Sequence, residues 1–356
     1  MKKTLLATAI AGAMVVSASA SAATVYNQDG TKLDIYGNIQ MGYKSVKNAD
    51  GDSEDEVYDV GSTFGFAAEH AITNDVTGYL KLEFDDFKAD EMKVAGRDSG
   101  DQAYVGAKGS FGDVRLGSYD PLIDDWIQDP ISNNEWFDVT DSSNEGIKNV
   151  GTNDREGDKV TYTSPSFGGL QFALGTQYKG DAEETKFGDQ ADDGTTVEAD
   201  SNASFFGGAK YTVGAFSIAA AYDNLDNYDG TVASAGPNAV VATGDKYDAG
   251  DQYGVTGQYT MGALRVAAKY ETFDSDYNDG DIDFAGVGAR YGYGMGDVYG
   301  TYQNVSYDDS RDDRNEVIVG GTYDISSAMY TWVEVATYDR DNDQGDGVAT
   351  GITYLF

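Results

Sequence analysis

The sequence contains no cysteine, only 4 prolines and a single histidine, His70. Without cysteine there is no disulfide framework, so an exported form must be stabilised in other ways. One histidine and no cysteine also leave no Ser–His–Asp or Cys–His arrangement for nucleophilic catalysis. We therefore expect that the protein is not an enzyme, that it has no catalytic residues, and that it needs no cofactor.

Basic residues are scarce, because 24 Lys and Arg face 61 Asp and Glu, which gives a formal net charge of −37. Such a charge repels phosphates, so no nucleic acid partner is expected, and it attracts cations. Acidic stretches such as Asn48–Glu56 and Asp274–Asp283 offer the oxygen ligands of hard cations but form no complete calcium-binding loop. We predict no defined metal site, while weak Ca²⁺ or Mg²⁺ binding at an outer rim stays open.

Long hydrophobic runs are also missing beyond the N-terminus, so no transmembrane helix is predicted. The lysines at positions 2 and 3 precede a short apolar run, and an Ala-Ser-Ala sequence ends at Ala22. This order is typical of a secretory signal peptide, here residues 1–22, which leaves a mature chain of residues 23–356. An uncleaved N-terminal anchor is the alternative, although the run is short for spanning a bilayer.

Glycine, tyrosine and short alternating segments are abundant. The 45 Gly and 26 Tyr suit pleated, half-buried strands and their turns better than helices. In "LDIYGNIQMGY", which starts at Leu33, apolar residues recur at every second position, and "VTGYLKLEFDDF", which starts at Val76, repeats the pattern. This alternation predicts about sixteen strands of roughly ten residues. The last one, "GVATGITYLF", ends on an aromatic residue, Phe356.

The connections between these strands alternate between short and long. Turns such as Thr73–Asp75 and Gly294–Gly296 are short, whereas the others are long and acidic, beginning with Lys47–Glu56. Short turns on one rim and long loops on the other are typical of outer-membrane barrels. The sequence therefore predicts an all-β fold, a transmembrane antiparallel β-barrel with its apolar face toward lipid and its polar face toward the lumen. A soluble, secreted β-sandwich or solenoid is the alternative.

Four stretches, "ATVYNQDGTKLDIYG", "NDVTGYLKLEF", "YVGAKGSFGDVRLG" and the terminal "YLF", resemble the general diffusion porins of Gram-negative outer membranes. The resemblance covers essentially the whole mature chain. It implies a homotrimer that lets ions and small hydrophilic solutes diffuse passively, with a third loop folded into the pore. It also implies a cell outer membrane location among lipid and lipopolysaccharide, and an outer-membrane assembly machinery that reads Phe356.

The third long connection, residues 119–158, is the expected constriction loop. It contains two of the three Trp, and its apolar residues are predicted to pack on the barrel wall. The family carries a Pro-Glu-Phe-Gly-Gly-like motif in this loop. The corresponding stretch "NEWFD" lacks the Pro and both Gly, and it gives Glu135 the acidic role and Trp136 the aromatic role. The carboxylates predicted to face the pore are those of Asp120, Asp124, Asp125, Asp129, Glu135 and Asp138.

Opposite this loop the family carries Arg and Lys side chains. Four of the corresponding positions in this chain hold Asn38, Thr63, Asp101 and Ser118. Only the family's arginine at the end of the third loop is retained, as Arg155. Strand alternation adds three side chains that face the lumen, those of Lys81, Glu83 and Lys159. We therefore predict a wall that has lost most of its positive charge. A narrow lumen lined by one sign of charge concentrates counter-ions, so the channel is predicted to prefer cations.

Two other functions stay open. A substrate-specific porin, for instance for an oligosaccharide, lines its path with aromatic side chains that stack on sugar rings. The candidates for such stacking are Trp126, Trp136, Tyr36 and Tyr79. A surface adhesin or receptor barrel would use the long loops instead, and it would pass no current in a bilayer.

Overall fold

The computed structural model describes residues 22–85, 89–90, 100–127, 135–143, 157–178, 186–188, 195–200, 202–236, 242–274, 280–308 and 311–356. Residues 1–21, nearly all of the expected signal peptide, therefore lie outside the described residues. The strands are β1 (Ala23–Gln28), β2 (Thr31–Lys47), β3 (Ser53–Asp59), β4 (Thr63–Ala71), β5 (Thr77–Phe84), β6 (Gly100–Gly109), β7 (Gly112–Ser118), β8 (Lys159–Thr163), β9 (Leu170–Tyr178), β10 (Lys186–Gly188), β11 (Thr196–Ala199), β12 (Ala203–Val213), β13 (Phe216–Asn224), β14 (Gly230–Ser234), β15 (Lys246–Tyr247), β16 (Asp251–Met261), β17 (Leu264–Asp274), β18 (Ile282–Gly292), β19 (Asp297–Tyr307), β20 (Arg314–Ser326), β21 (Met329–Thr337) and β22 (Gly347–Leu355). The helical elements are α1 (Leu122–Ile127) and two 3₁₀ turns, Asp226–Tyr228 and Asp341–Asp343.

The barrel closes where the two ends of the chain meet. Eighteen strand segments form one antiparallel sheet, and two pairs of them share a barrel position, which gives sixteen positions. On one side of β2, β1 pairs with its first half and β22 with its second half. On the other side, β4 and β3 divide the length of β2 in the same way. A closed sheet leaves no unpaired edge in lipid, and the predicted barrel of about sixteen strands is confirmed.

The two faces of the barrel strands differ in chemistry. In β19, the side chains of Val298 and Tyr302 are 51% and 46% exposed, whereas those of Tyr299 and Gln303 are buried. A similar alternation of exposed apolar and buried side chains is clear in β13, β17, β18, β20, β21 and β22, whereas β1 and β3 lack it. Apolar surface on this scale is matched to lipid rather than water. No helix in the described part of the chain is long and apolar enough to cross a membrane.

Exposed tyrosines form two bands on the outer face. A tyrosine ring has an apolar body and a polar hydroxyl, so it is stable at the boundary between lipid and water. The band near the short turns contains Tyr211, Tyr259, Tyr291, Tyr293, Tyr323 and Tyr354. The band near the opposite ends contains Tyr43, Tyr178, Tyr222, Tyr253, Tyr270 and Tyr302. The bands mark the two interfaces that the barrel strands connect.

The first acidic connection is shorter than the sequence predicts. Lys47–Glu56 was expected as a loop, but only residues 48–52 form the turn, and β3 pairs with Met41–Lys47. The Asn48 side-chain oxygen accepts hydrogen bonds from the backbone N–H groups of Asp50 and Asp52, each at 3.0 Å. Acidic side chains at the watery rim do not prevent strand pairing, because pairing uses the backbone alone.

Two further acidic connections, expected as loops, carry a small second sheet of strands β10, β11, β14 and β15. Its buried residues Val197, Val232 and Tyr247 share one core with Phe273 and Phe284, which lie on the inner face of β17 and β18. Burial of such side chains contributes about 1.5–3 kcal/mol each. A few apolar residues inside acidic segments are therefore enough to fold these connections onto the barrel.

Candidate functional site

The inner face of the barrel is rich in basic residues. Arg115 illustrates the pattern, because it alternates with the exposed side chains of Val114 and Leu116 on β7. The structure therefore differs from the prediction of a wall that has lost most of its positive charge. That prediction compared a few family positions and did not extend the alternation to the remaining strands. The basic side chains on the inner face of the described barrel strands are Lys32, Lys44, Lys81, Lys108, Arg115, Lys159, Lys210, Arg265, Lys269, Arg290 and Arg314.

Most of these charges lie next to a carboxylate. A strand places residues i and i+2 on the same face, so a basic residue and an acidic residue two positions apart become neighbours. Ion pairs of this kind, and others between neighbouring strands, make the wall a set of local dipoles. Examples within one strand are Lys81–Glu83 (3.2 Å), Lys269–Glu271 (3.4 Å) and Arg314–Glu316 (3.0 Å), and an example between strands is Arg290–Asp297 (3.0 Å).

The described start of the third connection is the short helix α1, which packs on the inner face of β12 and β13. Its Ile123 and Ile127 are 1% and 0% exposed. Trp126 lies against Gly208, where an added Cβ would lie 2.9 Å from the Trp126 ring. The ammonium of Lys210 lies 4.9 Å from the centre of the same ring. This apolar contact fixes α1 on the wall and leaves its two aspartates, Asp124 and Asp125, on its less buried side.

A charged cluster lies beside α1. The guanidinium of Arg115 stacks on the Tyr119 ring at 4.1 Å and on the Tyr104 ring at 5.0 Å, and it lies 4.0 Å from Asp125. Part of the Asp125 side chain reaches solvent, but the protein around its carboxylate removes enough water to raise its pKa to about 6; the nearby Asp120 carboxylate adds to this effect while Arg115 opposes it. At neutral pH, Asp125 therefore carries a negative charge beside Arg115.

One glutamate on the wall binds three consecutive backbone groups of the third connection. The carboxylate of Glu334 on β21 accepts hydrogen bonds from the N–H groups of Glu135 (2.6 Å), Trp136 (2.9 Å) and Phe137 (2.9 Å). It also accepts one from the Tyr299 hydroxyl at 2.5 Å. Glu334 is 0% exposed. A fully buried carboxylate with four donors fixes residues 135–137 against the barrel wall.

Two further glutamates continue this anchoring along the connection. Glu316 on β20 accepts hydrogen bonds from the Thr140 N–H at 2.8 Å and the Thr140 hydroxyl at 2.7 Å. Glu271 on β17 accepts from the Ser142 N–H at 3.1 Å and from the Ser142 hydroxyl. Residues 135–143 therefore follow the inner faces of three strands. The anchoring groups are carboxylates of the wall, and the anchored groups belong mainly to the backbone of the connection.

The predicted acidic residue of the constriction, Glu135, is held next to this anchor. Its carboxylate accepts a hydrogen bond from the Tyr330 hydroxyl at 2.9 Å. Burial raises the pKa of Glu135 to about 7, and the neighbouring Glu334 carboxylate contributes, although the Tyr330 bond acts in the opposite direction. Trp136 packs edge-on against Phe137 and Tyr58, with ring centres 4.5 and 5.6 Å apart.

The other predicted loop carboxylates occupy different environments. Asp120 accepts a hydrogen bond from the Gln102 side chain at 3.0 Å, and Asp124 accepts one from the Ser143 hydroxyl. The side chain of Asp138 is exposed, while its backbone oxygen accepts a hydrogen bond from Tyr338 at 2.8 Å. Three predicted site residues lie outside the described part of the chain, namely Asp129, Arg155 and the side chain of Asp101.

The predicted wall residues whose side chains the structure describes lie on the inner face but differ in exposure. Asn38 donates a hydrogen bond to the Thr63 hydroxyl at 2.9 Å, so these two uncharged side chains bridge β2 and β4. Lys81 donates to Gln102 at 2.9 Å in addition to its ion pair with Glu83. Lys159 is only 1% exposed and donates to the Tyr119 backbone oxygen. Lys159 therefore supports the start of the third connection rather than lining an open path.

Phe356 completes the barrel. Its backbone N–H donates to the Gly37 oxygen, and its own oxygen accepts from the Gly37 N–H, each at 3.0 Å. The Phe356 ring lies 6.4 Å from that of Phe64. A Cβ at position 37 would lie 2.4 Å from the Thr63 oxygen and 2.9 Å from the Phe356 ring, so this position requires glycine. The last residue is thus a closing element of the sheet.

Sequence reasoning missed the three anchoring glutamates and Arg115. Alternation alone places all four on the inner face, and that signal was available. The residues of the third connection that bind Glu334 and Glu316, however, lie 176 to 199 positions away in the sequence, so no local pattern reveals these contacts. Among the residues that the structure describes, no group of three or more His, Cys, Asp or Glu is arranged to hold a metal ion.

Comparison with known proteins gives close relatives over the full length. A monosaccharide porin of Halomonas sp and the major outer membrane protein of Halomonas elongata are each 57% identical over 387 residues, covering 100% of both chains. The outer membrane porin PhoE of Escherichia coli is 29% identical over 383 residues, again covering 100% of both chains.

Solved structures share the fold at lower identity. OmpF of Salmonella typhi, in complex with daunomycin, matches with a TM-score of 0.69 at 20% identity, covering 94% of this chain and 100% of that chain. The anion-selective porin of Comamonas acidovorans matches with a TM-score of 0.68 at 17% identity, covering 92% and 100%. The family model described as Gram-negative porin matches residues 7–343. With the sixteen-position barrel and its polar inner face, these matches show that the chain belongs to the Gram-negative porins, which are channels and not enzymes.

Proposed function

We propose that this porin is a passive, water-filled channel for small hydrophilic solutes, including neutral monosaccharides, with a preference for cations over anions. The observation that carries the proposal is the fixed third connection. Three wall glutamates hold residues 135–143 against the inner faces of β17, β20 and β21. A segment anchored there narrows the path without closing it, and it sets a size limit on the solutes that pass.

The wall chemistry supports neutral solutes. Most of the basic side chains of the inner face lie within 4.0 Å of a carboxylate. Paired charges present donors and acceptors of hydrogen bonds but little net field, so a sugar exchanges water for wall groups with little change in free energy. The 57% identical relative from Halomonas sp is named a monosaccharide porin, which agrees with this solute class.

The cation preference has a different source from the one that the sequence predicts. Because the wall charges are largely paired, the net charge of −37 must act mainly through the acidic segments at the long-loop rim. Charges at a watery rim attract cations over about 10 Å at 0.1 M salt and are screened at higher salt. We therefore expect a moderate cation preference that falls as the salt concentration rises.

The functional unit is proposed to be a homotrimer in the outer membrane. The exposed apolar outer face and its two tyrosine bands suit contact with lipid, lipopolysaccharide and neighbouring subunits. A solved structure that shares the fold is described as a trimer form. Residues 1–22 are proposed to direct export, and Phe356 is proposed to be read during barrel assembly.

Two measurements on the purified protein in lipid test these proposals. In the first, vesicles that contain the porin should swell in isotonic D-glucose faster than empty vesicles, and much faster than in a large oligosaccharide. Swelling no faster than in empty vesicles refutes sugar permeation. In the second, the reversal potential across a KCl gradient should have the sign of a cation-preferring channel and should shrink at high salt. A neutral or anion-preferring value refutes the cation preference.

A further inference from the structure

A cavity of about 470 Å³ lies at the long-loop end of β2 and β3. Small-molecule sites in proteins enclose about 300–1,000 Å³, so the cavity is large enough for one sugar ring. Lys44 on β2 pairs in register with Glu56 on β3, and Val46 pairs with Glu54, so these side chains share the inner face. The residues that carry the argument are Lys44, Val46, Asn48, Glu54, Glu56 and Trp136.

Trp136 forms the aromatic side of this cavity, and its position is fixed. Its backbone N–H is bound by Glu334, and its ring packs edge-on against the rings of Phe137 and Tyr58. The ammonium of Lys44 lies 4.8 Å from the Trp136 ring centre. A rigid aromatic side chain adds contact area at a low entropic penalty, because little side-chain freedom is lost on binding.

The polar side of the cavity offers both donors and acceptors. The Lys44 ammonium lies 2.9 Å from the Glu56 carboxylate, and the Asn48 amide donates to Glu54 at 2.8 Å. An ammonium has three donors and a carboxylate has about four acceptor positions, so these pairs keep capacity for further hydrogen bonds. The Glu56 side chain is 57% exposed, which leaves its carboxylate accessible. Mixed donors and acceptors beside an aromatic ring suit a neutral, hydroxyl-rich ring.

We propose that this cavity is a monosaccharide-binding subsite at the outer end of the permeation path. The inference rests on the proposed function, and it adds the place where the sugar first binds. Trp136 joins the subsite directly to Glu135, the predicted acidic residue of the constriction. A sugar that binds there is held at the outer end of the narrowed segment. Because the cavity is open to water, the affinity is weak, with half-saturation at about millimolar concentration.

The test measures sugar binding separately from sugar passage. Potassium current through the porin in a planar bilayer is recorded while D-glucose is added, and binding is read from the sugar-induced current noise. The variants are Trp136→Leu, which removes the ring, Trp136→Phe, which keeps a ring, and Lys44→Met, which removes the ammonium. Lys108→Met is the matched control, because Lys108 forms a similar ion pair with Glu69 at the short-turn rim (2.5 Å).

The noise in the wild type should saturate with glucose. Trp136→Leu should raise the half-saturating concentration about two- to tenfold, and Lys44→Met about tenfold. Trp136→Phe and Lys108→Met should stay close to the wild type. If Trp136→Leu forms no channels, the comparison of Lys44→Met with Lys108→Met decides. The proposed subsite is refuted if the current noise does not saturate with glucose. It is also refuted if Lys44→Met and Lys108→Met have the same half-saturating glucose concentration. Glucose-driven swelling of wild-type vesicles tests the proposed function independently, so either proposal can fail alone.

Discussion

Replacing Glu334 by Gln should loosen the third connection. The two carboxylate oxygens of Glu334 share four donors, three backbone N–H groups of residues 135–137 and the Tyr299 hydroxyl. A glutamine keeps one acceptor oxygen and places an NH₂ group where the other oxygen was. Two donors therefore lose their acceptor, and the negative charge that strengthens the other two bonds is removed as well.

The size of the effect follows from the number of bonds. A hydrogen bond to a charged group contributes about 1.5–3 kcal/mol, so two of them amount to about 3–6 kcal/mol. Water in the lumen replaces some of the lost hydrogen bonds, so the net loss of anchoring free energy is about 2–3 kcal/mol. The population in which residues 135–137 are detached from the wall should therefore rise about 30- to 150-fold.

Hydrogen exchange of the barrel in lipid measures this population directly. The backbone amides of residues 135–137 should exchange faster in Glu334→Gln by the factor given above, while amides of the barrel strands stay protected. Single-channel records should show more current noise, because a detached segment moves in the path. Glu69→Gln is the control, since Glu69 pairs with Lys108 at the rim and binds none of the residues of the third connection that the structure describes. Unchanged exchange at residues 135–137 would refute the anchoring role of Glu334.

Three further predictions follow from the same geometry. Because the pKa of Glu135 is raised to about 7, its charge opposes folding above pH 7. This penalty disappears as the pH falls from about 7 toward the ordinary value of 4.5. Glu135→Gln should remove this pH dependence from thermal unfolding scans, and an unchanged pH dependence would contradict the raised pKa. Trp126→Ala should weaken the packing of α1 on the barrel wall by about 3–5 kcal/mol, so the backbone amides of α1 should exchange faster than in the wild type. Equal exchange rates in the two proteins would contradict the packing argument. Phe356→Ala should reduce the yield of heat-resistant oligomers on gels, and an unchanged yield would remove its proposed role in assembly.

The barrel itself could be predicted from the sequence because it depends on local patterns. Alternation of apolar and polar residues depends only on the pleat of a strand, so "LDIYGNIQMGY" reveals both faces of β2 without any knowledge of its neighbours. The same reasoning identified the short turns and the strand that ends at Phe356. Reasoning from local patterns was less accurate at the outer rim, where all three segments were predicted to be loops. Lys47–Glu56 contains part of a strand, and two other acidic connections form a second sheet.

The anchoring of the third connection could not be predicted in this way. Residues 135–137 bind a carboxylate on β21, and Thr140 binds one on β20, although these partners lie 176 to 199 positions apart in the sequence. The acids of this connection were therefore assigned to the pore from their charge, from the expected packing of the apolar residues on the wall and, for Glu135, from the resemblance to the family motif. The structure shows that Glu135 is bound to Tyr330 and that Asp124 is bound to Ser143. Buried acids with defined partners and exposed acids have the same appearance in a sequence.

The charge of the wall, by contrast, could have been deduced from the sequence. "KLE" from Lys81, "KYE" from Lys269 and "RNE" from Arg314 each place a base and an acid two positions apart in a strand. Two such residues must share a face, and all three pairs are ion pairs at 3.0–3.4 Å. A wall built from adjacent opposite charges holds hydrogen-bonding groups in place without a large net field. Under the proposed function, we therefore expect ion preference to come from the acidic rim and to be sensitive to salt, and we expect the passage of neutral solutes to depend on the wall and on the anchored connection.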